Sequence, residues 1–367
     1  MEDNRRKRKD RDTESVQQER KAKWKKIIPL CALALVVIVV AAFAVIMLVI
    51  QPNHYKTAQE RLAAQDDYGA AIAFGKAGSY RDARERSMAL WSELAERQTV
   101  SGSSLHTLAL KTDGTVVAAG NSYYGQCDVS DWTDVVALSA GDIHSLGLKS
   151  NGRVMAVGDE QYHQCRVYSW RNIVAISAGD IHSLGLKSDG TVVAAGKNIR
   201  GECSVRGWRN IVAIDVGYLY SVGLRADGTV VATGENNHGQ CEVSDWTDMI
   251  AVSAGGWHTV GLRVDGTVVA TGHNDDGQCE VSDWTDIVAV SAGDVHTVGL
   301  RADGTVVAVG RNENGQCEVS DWTDIVAIST AGRRTLAQQA DGTVLAIGWN
   351  SYGENEVSDW TNIQLSE

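Results

Sequence analysis

No proline occurs after Pro52 in this 367-residue chain, which holds only two in all. Nothing downstream therefore breaks a strand ladder by lacking an N–H donor. No 3.6-residue apolar period runs through that region, which excludes a helical solenoid. No Ser-His-Asp order, phosphate-binding loop or metal-ligand spacing stands apart from repeated positions. The sequence thus names no reaction and calls for no cofactor. Positive charge is also scarce: the net charge is −12.

What is present is repetition. Tryptophan recurs every 38 residues, at Trp132, Trp170, Trp208, Trp246, Trp284, Trp322 and Trp360. A period of this size marks a propeller or a solenoid. The ends decide between them. Residues 101–131 form a unit without its first seven residues, and 360–366 supply seven: 31 + 7 = 38, and the span 101–366 is 7 × 38 = 266 residues. Complementary part-units at the two ends predict a closed ring, an all-β seven-bladed β-propeller. Each unit has short runs rich in β-branched residues, such as Ile287–Val290 and Thr305–Val307. Between them sits an Asp-Gly or Asn-Gly pair, from Asp113-Gly114 to Asp341-Gly342, the signature of a tight hairpin. Four strands are expected per blade, at about 287–291, 296–301, 305–309 and 317–320 in one unit. Neighbouring blades would bury each other's faces.

The pattern V-A-x-S-A-G-x-x-H-(S/T)-x-G-L-(K/R)-x-D-G-T-V-V-A-x-G-x-N-x-x-G-Q-C, renewed through residues 101–366, resembles the repeats of the regulator of chromosome condensation family. The short period without insertions is closer to its bacterial branch, which includes β-lactamase inhibitory protein II. The resemblance implies a seven-bladed propeller. It implies function weakly, since the family includes nucleotide exchange factors, enzyme inhibitors and modules of unknown partner.

The front of the chain differs. Residues 27–50 carry no charge and are almost wholly aliphatic. They would extend about 36 Å as a helix, enough for a transmembrane span. A cleaved signal core is shorter, and Ile28-Pro29-Leu30 before Cys31 is a poor lipobox. Residues 1–26 hold 11 Lys/Arg against 6 Asp/Glu, a net of 11 − 6 = +5. That places the N-terminus in the cytoplasm and a propeller of residues 101–367 outside the cell membrane. Residues 51–100 read as a helical linker, tetratricopeptide-like at 67–82, with helices at 57–64, 68–76 and 80–96. The expected role is a spacer between a single-pass anchor and the propeller.

Histidine holds one site in five blades, at His106, His144, His182, His258 and His296, with Tyr220 and Arg334 in the other two. A catalytic group is needed once, so a residue repeated around a ring belongs to the scaffold. Cys127, Cys165, Cys203, Cys241, Cys279 and Cys317 repeat likewise. Packed sheets lie about 10 Å apart, too far for a disulfide or a zinc site. These cysteines are expected to be free and buried.

The residues that vary between copies are the candidates for binding. One set follows Ser-Ala-Gly: Asp142, Asp180, Tyr218, Trp257, Asp294 and Arg333. Another lies before Gly-Gln: Tyr123, Tyr124, Tyr162, Arg200, His238, Asp276, Asn314 and Tyr352, with Trp349 just ahead. These are the first and third connections of a blade, which emerge on one face. The Asp-Gly hairpin and the Ser-Asp-Trp-Thr-Asp link between blades emerge on the other, and on this reading hardly vary. The expected function is therefore a membrane-anchored, extracytoplasmic module presenting one face to a protein or cell-surface ligand, with no nucleic acid partner. The alternative is an enzyme, a hydrolase or lyase, at the axial channel, where Asp142, Asp180 and Asp294 could form an acidic or calcium-binding ring. An acidic, insertion-free propeller argues against a nucleotide exchange factor.

Overall fold

The computed structural model describes residues 50–63, 67–77, 83, 86 and 99–364. Seven three-stranded antiparallel sheets follow one another along the chain. The first comprises Val100–Gly102, His106–Leu110 and Val116–Gly120, and the last Ile325–Ala331, Arg334–Gln339 and Val344–Gly348. Each sheet touches the next, and Val100–Gly102 touches both Val135–Ala140 of the second sheet and Ile325–Ala331 of the seventh. The sheets thus form a ring, and each is one blade of a β-propeller.

The expected fourth strand does not form. Residues 312–325 run instead through successive turns. Gly315 N donates to Asn312 O, Glu318 N to Gly315 O, and Trp322 N to Val319 O. Cys317 N is taken by the Asn312 side chain at 2.8 Å. Donors that a strand would point at its neighbour are satisfied within the loop.

The ring closes through a strand shared between the two ends of the sequence. Ile363 bridges Lys111, Thr112 N donates to Asn362 O and Gln364 N donates to Leu110 O. Val100–Gly102 then continues the same edge of His106–Leu110. Within intact blades this strand begins with a bulge, as between Ile287 and Ala289. In the first blade the bulge position is the chain break. Ile363 is 3% exposed and shares a core cluster with Val100, Ala109 and Leu336.

Each blade core is built on its tryptophan. A Cβ placed on Gly299 would lie 2.6 Å from the Trp284 ring, and Gly147, Gly185, Gly223 and Gly261 seat their tryptophans equally closely. The first and seventh blades have Ala109 and Ala337 at this seat. Their tryptophans, Trp360 and Trp322, are half-buried, whereas the other five are buried. One methyl group lifts the indole outward.

Among the described residues two helices precede the ring: α1 (Gln51–Ala63) and α2 (Asp67–Ala77). Tyr55 packs edge-on to Phe74 with ring centroids 5.3 Å apart. The pair does not stand off as a spacer. Ala71 and Ile72 enter the core cluster of Val264, Val288 and Leu300, and Lys76 Nζ lies 3.2 Å from Asp286 Oδ1. Val288 is 8% exposed beneath this contact, whereas its counterparts Val136, Val174 and Val212 are 51–53% exposed. Val264 replaces the Ser or Ala of neighbouring blades, an apolar substitution that marks the docking site.

The expectation of a single-pass cell-membrane protein with an extracellular propeller is corrected. Among the described residues no helix is long and apolar enough to cross a membrane. The expected span at 27–50 lies outside those residues except for Ile50, as does the basic segment 1–26. Most of the third linker helix, at 80–96, also lies outside them.

Candidate functional site

The two faces of the ring are built differently. On one, which we call the lower face, the Asp-Gly hairpin of each blade bonds to the next inter-blade link, as in Val135 N to Gly114 O and Ile325 N to Gly304 O. Asp303 Oδ1 accepts from Thr305 N at 3.0 Å and from Thr305 Oγ1 at 2.6 Å. Four other hairpins repeat both bonds. Each link also holds an Asp or Asn at positive φ, among them Asp134 at 59° and Asn172 at 58°, which these residue types tolerate best after glycine. The constancy of the Asp-Gly hairpins therefore has a structural cause.

On the upper face the third connection of every blade bonds to the first. Asn121 N donates to Leu105 O, His273 N to Trp257 O and Trp349 N to Arg333 O. The varied residues of these two connections thus stand on one side. Their floor is a fully buried ring of Gln and Glu side chains. Tyr124 N donates to Gln126 Oε1 at 2.9 Å, and Tyr352 N to Glu354 Oε2 at 2.6 Å.

The repeated histidines lock blade to blade. His106 Nε2 lies 2.7 Å from Ser145 Oγ of the next blade, and Ser145 Oγ donates to Gln126 O at 2.7 Å. The serine proton is committed, so the imidazole must donate from Nε2. His144, His182, His258 and His296 make the same contact with Ser183, Ser221, Thr297 and Thr335. Burial holds these rings neutral, with pKa values lowered to about 3 or 4. Tyr220 and Arg334 do the same task in other chemistry. Tyr220 Oη donates to His258 O at 2.5 Å. Arg334 reaches from the seventh blade to Thr107 Oγ1 at 2.9 Å and His106 O at 3.1 Å in the first.

The axial channel encloses about 270 Å³ between the first strands. Its wall is a serine ladder in which Ser101, Ser139, Ser253 and Ser291 Oγ each accept the following blade's N–H, as Ala140 N to Ser101 Oγ at 3.0 Å. Asp215 interrupts the ladder. Its carboxylate accepts from Ser177 Oγ, Val216 N, Ser253 Oγ and Ala254 N at 2.8–3.2 Å. Burial raises its pKa despite these four donors. Asp215 was not singled out from the sequence, although Ser-Ala becoming Asp-Val was a visible signal.

At the upper mouth of the channel Asp142, Asp180, Tyr218 and Asp294 come together. Burial raises all three carboxyl pKa values, Asp180 to about 6 and Asp294 to about 7, and Asp142 adds repulsion to both. Among the described residues no three His, Cys, Asp or Glu groups are placed to hold a metal ion. The proposed calcium ring thus has no ligand set there.

The other candidates divide in two. Several are occupied by their own chain. Trp257 packs edge-on to Tyr218 at 5.6 Å and against His238 at 5.6 Å. Lys197 lies 4.7 Å over the Tyr162 ring, Arg200 pairs with Glu235 at 2.9 Å, and Asp276 faces Arg311 at 3.9 Å. Asn314 N donates to Gln316 Oε1, and Arg333 is exposed. The second group is the more exposed one: Tyr123 is 83% exposed, Tyr124 47%, Trp349 42% and Tyr352 54%, with the Tyr123 and Tyr124 rings edge-on to each other at 5.0 Å. These four stand on the third connections of the seventh and first blades, neighbours across the ring closure.

A ring of seven such blades, locked by buried polar side chains, defines a repeat β-propeller. The model for the regulator of chromosome condensation (RCC1) repeat matches residues 98–126, 135–164, 173–202, 211–240, 249–278 and 287–316. This chain belongs to that RCC1-type repeat family. The seventh blade, which carries Arg334, lies outside these matches. No curated protein matches the chain. Among solved structures, the ectodomain of the Physcomitrella patens receptor kinase CR4 is similar at 19% identity and TM-score 0.57, over 69% of this chain and 73% of that one. The CRINKLY ectodomain of Arabidopsis thaliana ACR4 is similar at 18% identity and TM-score 0.56, over 69% and 97%. Prp20p of Saccharomyces cerevisiae, described with its binding to Gsp1p and histones, is similar at 19% and TM-score 0.53, over 70% and 83%. Likenesses at this identity establish the fold alone.

Proposed function

We propose that this chain is a protein-binding module whose contact surface is the upper face, centred on the seventh and first blades. The observation that carries this reading is the exposure of Tyr123, Tyr124, Trp349 and Tyr352 on adjacent loops of one face. Tyrosine and tryptophan are enriched among residues that dominate binding energy, and isolated exposed apolar residues are otherwise unremarkable. Family members are binding or exchange-factor modules in general, and Prp20p has also been solved with Kap60. The axial-channel enzyme is the weaker reading. The buried histidines are neutral and committed to neighbouring blades, and Asp215 is saturated with donors.

The test is affinity capture with the immobilised chain, comparing the native protein with a variant carrying Tyr123→Ala, Tyr124→Ala, Trp349→Ala and Tyr352→Ala. Asp113→Asn with Asp341→Asn, beneath the same blades, is the control. At least one protein held by the native chain should be lost from the fourfold variant and kept by the control. Identical retention by all three would overturn the reading.

A further inference from the structure

The links between blades vary more than the sequence reading allowed, and they vary in charge. Asp128–Asp134 reads D-V-S-D-W-T-D, a charge of −3, and 242–248, 280–286 and 318–324 each carry −3 as well. Links 166–172 and 204–210 read R-V-Y-S-W-R-N and S-V-R-G-W-R-N, each +2. Two adjacent blades, the third and fourth, have reversed the sign of a link that is otherwise acidic, with −2 at 356–362. Asn172 and Asn210 keep the positive φ, at 58° and 57°, while removing the carboxylate. The turn is preserved and only its charge has changed.

This removal leaves cations without a carboxylate at ion-pair distance. In the second blade Lys149 lies 3.8 Å from Asp134. Lys187, its counterpart one blade on, has Asn172 at that position and keeps only a longer-range attraction to exposed Asp189. Arg171 Nη1 donates to Tyr168 O at 2.8 Å and Trp170 O at 2.7 Å. Arg209 repeats this with Arg206 O at 2.9 Å and Trp208 O at 2.7 Å. Both guanidinium groups are thereby held in place by backbone carbonyls without neutralisation. Among the described residues no carboxylate lies within ion-pair distance of Arg166, Arg171, Lys187, Arg206 or Arg209. Arg171, Lys187 and Arg206 line one groove of about 520 Å³, with Trp170, Val192 and Val193 among its apolar walls.

The same lower face already holds a polypeptide two blades further on. There α2 sets Ile72 against Val288 and Val264 and Lys76 against the acidic link at Asp286. An apolar contact plus a charge match to the link is how this face receives a helix. With the link charge inverted, the matching partner carries acidic side chains.

We propose that the groove between the third and fourth blades is a second docking site, for an acidic polypeptide segment that also carries apolar side chains. A nucleic acid or an anionic membrane fits less well. The basic arc is two blades wide and flanked on both sides by links of −3, which repel any polyanion extending past it. The apolar walls likewise give a bare phosphate nothing to pack against.

The experiment measures binding of a fluorescein-labelled peptide of alternating glutamate and valine to the full chain by anisotropy. The comparison protein restores the sequence of other blades: Arg166→Glu, Arg171→Thr, Asn172→Asp, Arg206→Ser, Arg209→Thr and Asn210→Asp. Each restored residue already stands at the equivalent site of another blade, so the turns are kept, and circular dichroism checks the fold. The N-terminal segment, net +5, is the same in both proteins and cancels. Affinity should fall about tenfold or more in the restored protein, and the native affinity should weaken with salt. Equal peptide affinity in the two proteins overturns the proposal. So does a native chain that ignores the peptide but binds phosphatidylserine vesicles or a short DNA duplex, with that binding lost on restoration.

Discussion

Deleting residues 360–367 should open the ring, and the cost can be worked from the contacts. Ile363 is 3% exposed in the cluster of Val100, Ala109 and Leu336, and removing such a side chain costs about 2–5 kcal/mol. Two backbone hydrogen bonds, Thr112 N to Asn362 O and Gln364 N to Leu110 O, add about 0.5–1.5 kcal/mol each. Half-buried Trp360 adds packing of its own. The sum is roughly 5 kcal/mol or more, a large part of a typical stability of about 5–15 kcal/mol. At about 2 °C per kcal/mol for a ring of this size, the melting temperature should drop by about 10 °C. Ile363→Ala alone should account for close to half. Thermal unfolding followed by circular dichroism reads both. A truncated chain that melts with the native protein would refute closure by this strand.

Three further outcomes are expected. Gly299→Ala should cost about 1–3 kcal/mol by overpacking Trp284 and shift tryptophan emission to the red, while Ala337→Gly should let Trp322 sink and shift it to the blue; unchanged spectra would contradict the seat. Between pH 6.5 and about 4 the unfolded histidines bind protons that the folded ones refuse, so their contribution to stability falls as pH falls, whereas the raised Asp180 and Asp294 act in the opposite sense. His144→Gln keeps a donor for Ser183 and should flatten the acid loss by about 1.4 kcal/mol per pH unit, read from denaturant midpoints across that range. The six blade cysteines are free, but only Cys165 is buried as expected and the other five are half-buried; with pKa values raised by desolvation to about 11 or 12, they should react slowly with alkylating agent at pH 8 when folded and all react once unfolded without reductant, and rapid labelling of the folded chain would contradict the raised values.

The ring was legible because its signals are local and repeated. The Asp-Gly pairs are hairpins with Gly114 at φ 77° and Gly304 at 80°, and the missing seven residues of the first unit are found at the other end of the chain. The histidines were legible as scaffold by the same repetition. The fourth strand was misjudged because Cys317 and Val319 look like strand residues, while the Asn312 side chain that captures Cys317 N acts through geometry that periodicity does not register. The docking of α2 was not legible, since Ile72 and Val264 meet only once the ring has curved the fifth and sixth blades beneath the helix. The candidate face was legible as a set of residues, but not its division. The pairing of Trp257 with Tyr218 and of Arg200 with Glu235 joins different blades, and only the folded ring separates such residues from the free aromatics.

The proposed contact surface for a partner protein is the upper face over the seventh and first blades. Photo-crosslinking tests it most directly, with benzoylphenylalanine placed singly at Tyr124, Tyr352, Asp113 and Asp341. The two upper sites should yield a covalent adduct with one and the same protein, and the two sites beneath them none. Adducts from Asp113 and Asp341 with none from Tyr124 and Tyr352 would contradict the account.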